Sequence, residues 1–255
     1  MDRVVSAAAV VLLCALAAPN KASAAEIKIL SPGATEGALS ELLPQFEKSS
    51  GHKITINYGP VGGLAARVTK GETADIVILS DSVAEELRKA GKTVDGTQVV
   101  IAKVGIGVFV RKGDPKPDIS TADAFIRALT NAKVIAYADP KLGGSSSILV
   151  AELMRSLDIT GSIGSRTKLA PPAKPLVDLV AAGGVDFGFQ PISQIYLDPR
   201  IELVGPIPAP YQHYTPYVAS LVATSPHQEA YQAMVAFLAS PAAEAIWKSK
   251  GFESR

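Results

Sequence analysis

Short apolar runs alternate with helix-spaced apolar residues along nearly the whole chain, and no other feature restricts its fold as tightly. Residues 27–30 read as a strand broken by Ser31-Pro32-Gly33, and 34–49 then carries Leu39, Leu42, Leu43 and Phe46 on one helical face. The same unit recurs as a strand over 53–58, the turn Gly59-Pro60-Val61-Gly62-Gly63 and a helix over 64–70, then a buried strand over 76–79 and a helix over 83–90. A second series predicts helices over 121–129, 146–157, 174–182 and 192–196, with strands over 133–138 and 187–189 between them. Two long extended stretches, 99–110 and 214–223, bracket the middle third, and helices over 228–238 and 241–250 close the chain. Strands alternating with helices form parallel sheets covered by helices. The expected architecture is therefore α/β with two lobes, each a mostly parallel sheet flanked by helices. Residues 25–104 and 206–255 make one lobe and 105–205 the other, with the extended stretches crossing between them as two hinge strands. A cleft between the lobes follows.

The start of the chain has a different character. Met1-Asp2-Arg3 precedes a small and aliphatic run over 4–18, and Ala22 and Ala24 supply the small residues of a cleavage site. A run of that length falls short of the about 20 residues a bilayer core requires. Residues 1–24 therefore read as an export signal peptide cut after Ala24. The single cysteine, Cys14, lies inside it, so the mature chain offers no disulfide, no thiol nucleophile and no thiolate metal site.

Charge excludes further classes of function. Lys plus Arg number 25 against Asp plus Glu 24, and no basic stripe exists for a phosphate backbone, so nucleic acid is not an expected partner. His52, His213 and His227 are widely separated and match no paired metal-ligand or triad spacing. No metal, no cofactor and no catalytic set are expected from the residues.

In open parallel sheets, ligands sit beyond the carboxyl ends of strands, where helix starts present unpaired N–H groups. Four starts have suitable chemistry: 31–35, 59–63, 143–147 and 171–174. Gly143-Gly144-Ser145-Ser146-Ser147 is the most informative, because glycines admit a ligand to the backbone and serine hydroxyls add donors. The candidate ligand-binding residues are Ser31, Ala34, Thr35, Gly62, Gly63, Ser145, Ser146, Ser147, Lys174 and Gln190, around a small anion, either an oxyanion or a di- or tricarboxylate. Lys174 would supply a positive charge, and Gln190 an amide just after the Phe187–Phe189 strand. His213, Glu36 and Asp81 are candidate acid/base groups, should the site perform chemistry.

The segments Ile29-Leu30-Ser31-Pro32-Gly33-Ala34-Thr35-Glu36-Gly37, Tyr58-Gly59-Pro60-Val61-Gly62-Gly63-Leu64 and Gly71-Glu72-Thr73-Ala74-Asp75-Ile76-Val77-Ile78, with Gly184-Val185-Asp186-Phe187-Gly188, resemble the periplasmic molybdate-binding family of type II solute-binding proteins. The resemblance covers nearly the whole mature chain. It implies a periplasmic, monomeric binding protein whose lobes clamp a ligand between helix N-termini and which docks on a membrane ABC permease. It also implies that Ala34 and Gly62 stand where the family places oxyanion-binding serines, and that Gln190-Pro191 replaces an expected tyrosine, which argues for a ligand other than molybdate. Gly143-Gly144-Ser145-Ser146 and Gln190-Pro191-Ile192-Ser193 are similar to a divergent branch that includes a periplasmic aconitate isomerase. A proton shift along an allylic tricarboxylate is thus the alternative to binding alone.

Overall fold

The computed structural model describes residues 24–157, 160–171 and 175–253. The apolar leader and Lys174 lie outside these residues. In chain order the elements are β1 (Glu26–Pro32), α1 (Glu36–Ser50), β2 (Lys53–Gly59), α2 (Val61–Thr69), β3 (Ile76–Ser80), α3 (Asp81–Lys89) and β4 (Val99–Arg111). They continue with α4 (Ala122–Asn131), β5 (Ile135–Ala138), α5 (Ser145–Ser156), α6 (Thr160–Ile163), β6 (Thr167–Ala170), α7 (Leu176–Ala181), β7 (Phe187–Pro191) and α8 (Ile192–Ile195). β8 (Ile201–Pro206), β9 (Tyr214–Leu221), α9 (Gln228–Leu238) and α10 (Pro241–Ser249) complete the fold.

The strands join into one mixed sheet, ordered β2-β1-β3-β9-β4-β7-β5-β6, with β8 also paired to β4. β1 runs parallel to β2 and β3, and β5 parallel to β6 and β7, as crossover helices require. The antiparallel members are the hinge strands. β4 pairs with β9 over its first half and with β7 and β8 over its second, so a single strand passes through both lobes. Its side chains record the crossing. Val104 belongs to the core built from β1–β3, β9, α1–α3, α9 and α10, whereas Ile106, Val108 and Val110 face a second core with Phe125, Phe187 and Phe189. Phe109 points the other way, into a third cluster with Val180 and Ile195, as the two-residue period of a strand dictates. At the crossing, Gln212 lies beside β4 and donates from Nε2 to the Ile106 carbonyl at 3.0 Å, while its Oε1 accepts from the Ile106 N–H at 3.0 Å.

Three elements differ from the sequence expectation by being present at all. α6 is a single turn, β6 buries just Ala170 along its length, and β8 is half-exposed over most of its residues. Their apolar pattern is too thin to signal a strand or helix, and it is pairing with β5 and β4 that extends β6 and β8.

Candidate functional site

The carboxyl ends of β1, β2, β5 and β7 meet one another across the cleft, and each passes directly into a helical turn. After β1, β2 and β7, and at the start of α5, the residue at the junction brings no side-chain acceptor, whereas Asp139, directly after β5, accepts from the Lys141 N–H at 2.9 Å. Pro32, Pro60 and Pro191, all extended in ψ, occupy the cap positions of the turns after β1, β2 and β7, and Gly144 caps α5; none makes a side-chain cap hydrogen bond. Elsewhere in the fold, Thr121 accepts from the Ala124 N–H at α4 and Ser240 from the Ala243 N–H at α10, whereas the starts of α3, α7 and α9 likewise make no side-chain cap hydrogen bond. First-turn N–H groups have no partner within a helix and are normally met by such a side chain. Four starts stripped of their caps therefore leave donors, and the positive ends of peptide dipoles, for something else.

Between them lies a cavity of about 360 Å³ lined by Pro32, Gly33 and Ala34, by Tyr58 to Val61, by Leu142 and Gly144 to Ser147, and by Ala138, Pro191, Gln194 and Tyr217. Its described lining contains no Lys, Arg, His, Asp or Glu. Donors come from backbone N–H groups and hydroxyls, and much of the rest is carbon. The Ser145 and Ser146 hydroxyls have no partner among the described residues, whereas Ser147 Oγ donates to the Gly144 carbonyl at 2.8 Å and is buried. Tyr217 is 3% exposed, and its hydroxyl has no hydrogen-bond partner among the described residues. Burial alone holds its pKa well above the usual tyrosine range. Tyr58 is pushed up to about 12 by burial and, second, by the nearby Glu36 carboxylate. Both phenols keep their protons at neutral pH and serve as donors.

The sequence candidates distribute unevenly over this geometry. Ala34, Ser145, Ser146 and Ser147 line the cavity. Ser31 and Thr35 are fully buried beneath it: Thr35 donates to the Pro32 carbonyl at 2.8 Å and sits 2.6 Å from Ser31 Oγ, so these hydroxyls brace the loop. Gly62 packs against Gly143 on the opposite lobe, and Gly63 is exposed. Gln190 is buried with its Nε2 unpartnered, one residue before the lining Pro191. Among the acid/base candidates, Asp81 and His213 line an adjoining hollow of about 420 Å³ with Glu152, and Glu36 is exposed at the first turn of α1. Sequence reasoning missed Tyr58, Leu142, Gln194 and Tyr217. The proline before three of the uncapped starts, and the glycine before α5, were the signal available for them.

A larger hollow of about 580 Å³ lies beside Arg127, Lys133 and Asp186. It opens at the amino ends of β5 and β7, where parallel strands present no helix starts, and its Asp114, Asp118 and Asp186 oppose anions. The interlobe cavity is the candidate site.

Comparison with known proteins agrees with this fold. Residues 27–253 match the bacterial extracellular solute-binding protein family. The chain is 34% identical over 226 residues to an aconitate isomerase from a Pseudomonas species, covering 86% of this chain and 85% of that protein. It is 26% identical over 252 residues to the molybdate-binding protein ModA of Azotobacter vinelandii, covering 98% and 96%. The solved structure of the periplasmic molybdate-binding protein of that organism superposes with a TM-score of 0.75 at 20% identity, covering 90% of this chain and 99% of that one.

Proposed function

We propose, from the premise that this chain belongs to the bacterial extracellular solute-binding protein family, that it captures a small organic carboxylate between its lobes in the periplasm and presents it to an ABC permease. The observation that carries this reading is the set of uncapped helix starts around a cavity without cationic side chains. Such donors select a compact negative group. The cavity's size and carbon then select what that group is attached to. About 360 Å³ is room for roughly a dozen waters at ~30 Å³ each, so a tetrahedral oxyanion would leave much of it wet. Ala34 offers no hydroxyl, the Ser31 and Thr35 hydroxyls are engaged within their loop, and the Gly62 N–H is already bonded. Each donor missing from an oxyanion's shell costs about 1–3 kcal/mol. A carboxylate can place its charge at the α5 start and its chain against Val61, Ala138 and Leu142. Calorimetric titration of cis-aconitate, trans-aconitate, citrate, molybdate and sulfate tests the idea. A carboxylate is expected to bind; saturable binding of molybdate or sulfate with no response to any carboxylate would sink it.

The relative at 34% identity, whose name is aconitate isomerase, supports a second reading in which the bound carboxylate is also isomerised. That reaction needs a base to take a proton from a methylene carbon, the double bond to move one carbon along, and an acid to return a proton at the far end. Among the described lining residues the ionisable groups are Tyr58 and Tyr217, and both hold their protons. They suit donating hydrogen bonds better than removing a proton from carbon, which favours capture over turnover. Proton NMR of purified protein with trans-aconitate separates the two: growth of the cis isomer above a protein-free blank would move the assignment to an isomerase.

A further inference from the structure

The cavity wall ends at two glycines from opposite lobes. Gly62, in the first turn of α2, donates its N–H to the Gly143 carbonyl at 3.0 Å. Neither residue lines the cavity, although Val61, Leu142 and Gly144 beside them do. Both line the adjoining hollow, so their contact is the partition between the two spaces. The approach is close enough that a side chain at either position would push the two backbones apart by a few tenths of an ångström. A Cβ on Gly62 would stand 3.3 Å from Gly143 Cα, and one on Gly143 would stand 3.1 Å from Gly62 Cα. Backbone atoms cannot swing aside as the end of a flexible side chain can. Gly143 also has φ of 73°, in the left-handed region that favours glycine.

We propose that Gly62 and Gly143 form an interlobe clasp, a pair of positioning residues that hold the ligand cavity shut without touching the ligand. Val61 and Leu64 root one half in the first core, and Val150 and Leu153 root the other in the second. The bond between them therefore forms when the lobes close and breaks when they part. A first-turn N–H that could have faced the ligand is given to the opposite lobe instead, so closure has a contribution of its own, present before any ligand arrives. Glycine inside a helix is otherwise a poor choice. Its presence at position 62 is explained by the contact.

The test needs no ligand, so its failure is distinct from a wrong ligand assignment. In a Cys14→Ser background, spin labels on Ala66→Cys in α2 and Arg155→Cys in α5, both exposed positions, report the interlobe distance by double electron–electron resonance. The ligand-free parent is expected to show a short, narrow distribution. Gly62→Ala should shift it to longer and broader distances, with a melting temperature held or raised because alanine is the better helix former. Gly164→Ala, whose added methyl meets open space, should match the parent. A Gly62→Ala distribution identical to the parent's, or an open ligand-free parent, overturns the clasp. A longer distance accompanied by a lowered melting temperature assigns Gly62 to folding rather than closure and overturns it equally.

Discussion

Tyr217 is buried on β9, lines the cavity, and leaves its hydroxyl unpartnered among the described residues. A hydroxyl on a buried ring at the cavity wall is free to donate to a ligand. Tyr217→Phe keeps the ring and its packing against Phe252 and deletes the oxygen alone. The expected result is unchanged or slightly higher thermal stability. Carboxylate affinity should be weaker by roughly ten- to a hundredfold, the about 1.5–3 kcal/mol of a hydrogen bond to a charged group. Calorimetry on the variant checks both halves, and undiminished affinity would place the hydroxyl outside the ligand's reach. The residue was invisible in the sequence because Tyr217 sits in an apolar strand and reads as core. The serines at 145–147 were legible because Gly-Gly-Ser-Ser-Ser at a helix start has a backbone consequence that sequence alone carries. Ser31 and Thr35 looked equally apt. Their hydroxyls face each other and the Pro32 carbonyl, a rotamer choice that no spacing rule contains.

At the scale of elements, most strands and helices could be read from period and breakers, since β1, α1, β3, α5 and α9 each bury a clear apolar face. What could not be read is pairing that rests on side chains far apart in sequence. The hinge is the main case. Gln212 gives both amide atoms to the Ile106 main chain at the point where β4 leaves one core for the other, and Gly105 leaves room for that amide. In effect a side chain replaces a strand residue. Gln212→Ala strands the buried Ile106 N–H, while the carbonyl keeps the Ile207 N–H at 3.0 Å, and is expected to destabilise the protein by about 2 kcal/mol, lowering the melting temperature by roughly 4–8 °C for a chain of this size. Gln212→Glu, which keeps the acceptor and loses the donor, should fall between the two. Chemical denaturation curves of the three proteins check the order, and an alanine variant as stable as the parent would show the hinge to be held elsewhere.

For the whole molecule, pH bounds the range in which the folded state keeps its stability, and the two bounds come from opposite kinds of group. On the acid side, Glu72 is held at about 2 by hydrogen bonds from Arg67 and then Lys28, and Glu85 at about 2 by Arg88. The neighbouring Ser120 and Arg200 lower Asp118 and Asp198. Their folded pKa values lie below the roughly 4.3 of a free glutamate or 3.9 of a free aspartate. Their contributions are therefore present above that range and lost as pH falls through it toward the folded values. These pairs are solvent-screened and individually small, but all act in one direction. On the alkaline side, burial raises Tyr58 and Tyr231 to about 12 and Tyr217 further. Their contributions are present below the roughly 10 of a free tyrosine and lost as pH rises through the folded values. Denaturation midpoints followed by circular dichroism should therefore be flat between roughly pH 5 and 9.5 and decline on both sides. Glu72→Gln should flatten part of the acid limb and leave the alkaline limb alone, whereas Tyr217→Phe should do the reverse. An acid limb identical in the parent and Glu72→Gln would mean that the triad joining β1 and α2 does not set acid stability, and that carboxylates elsewhere do.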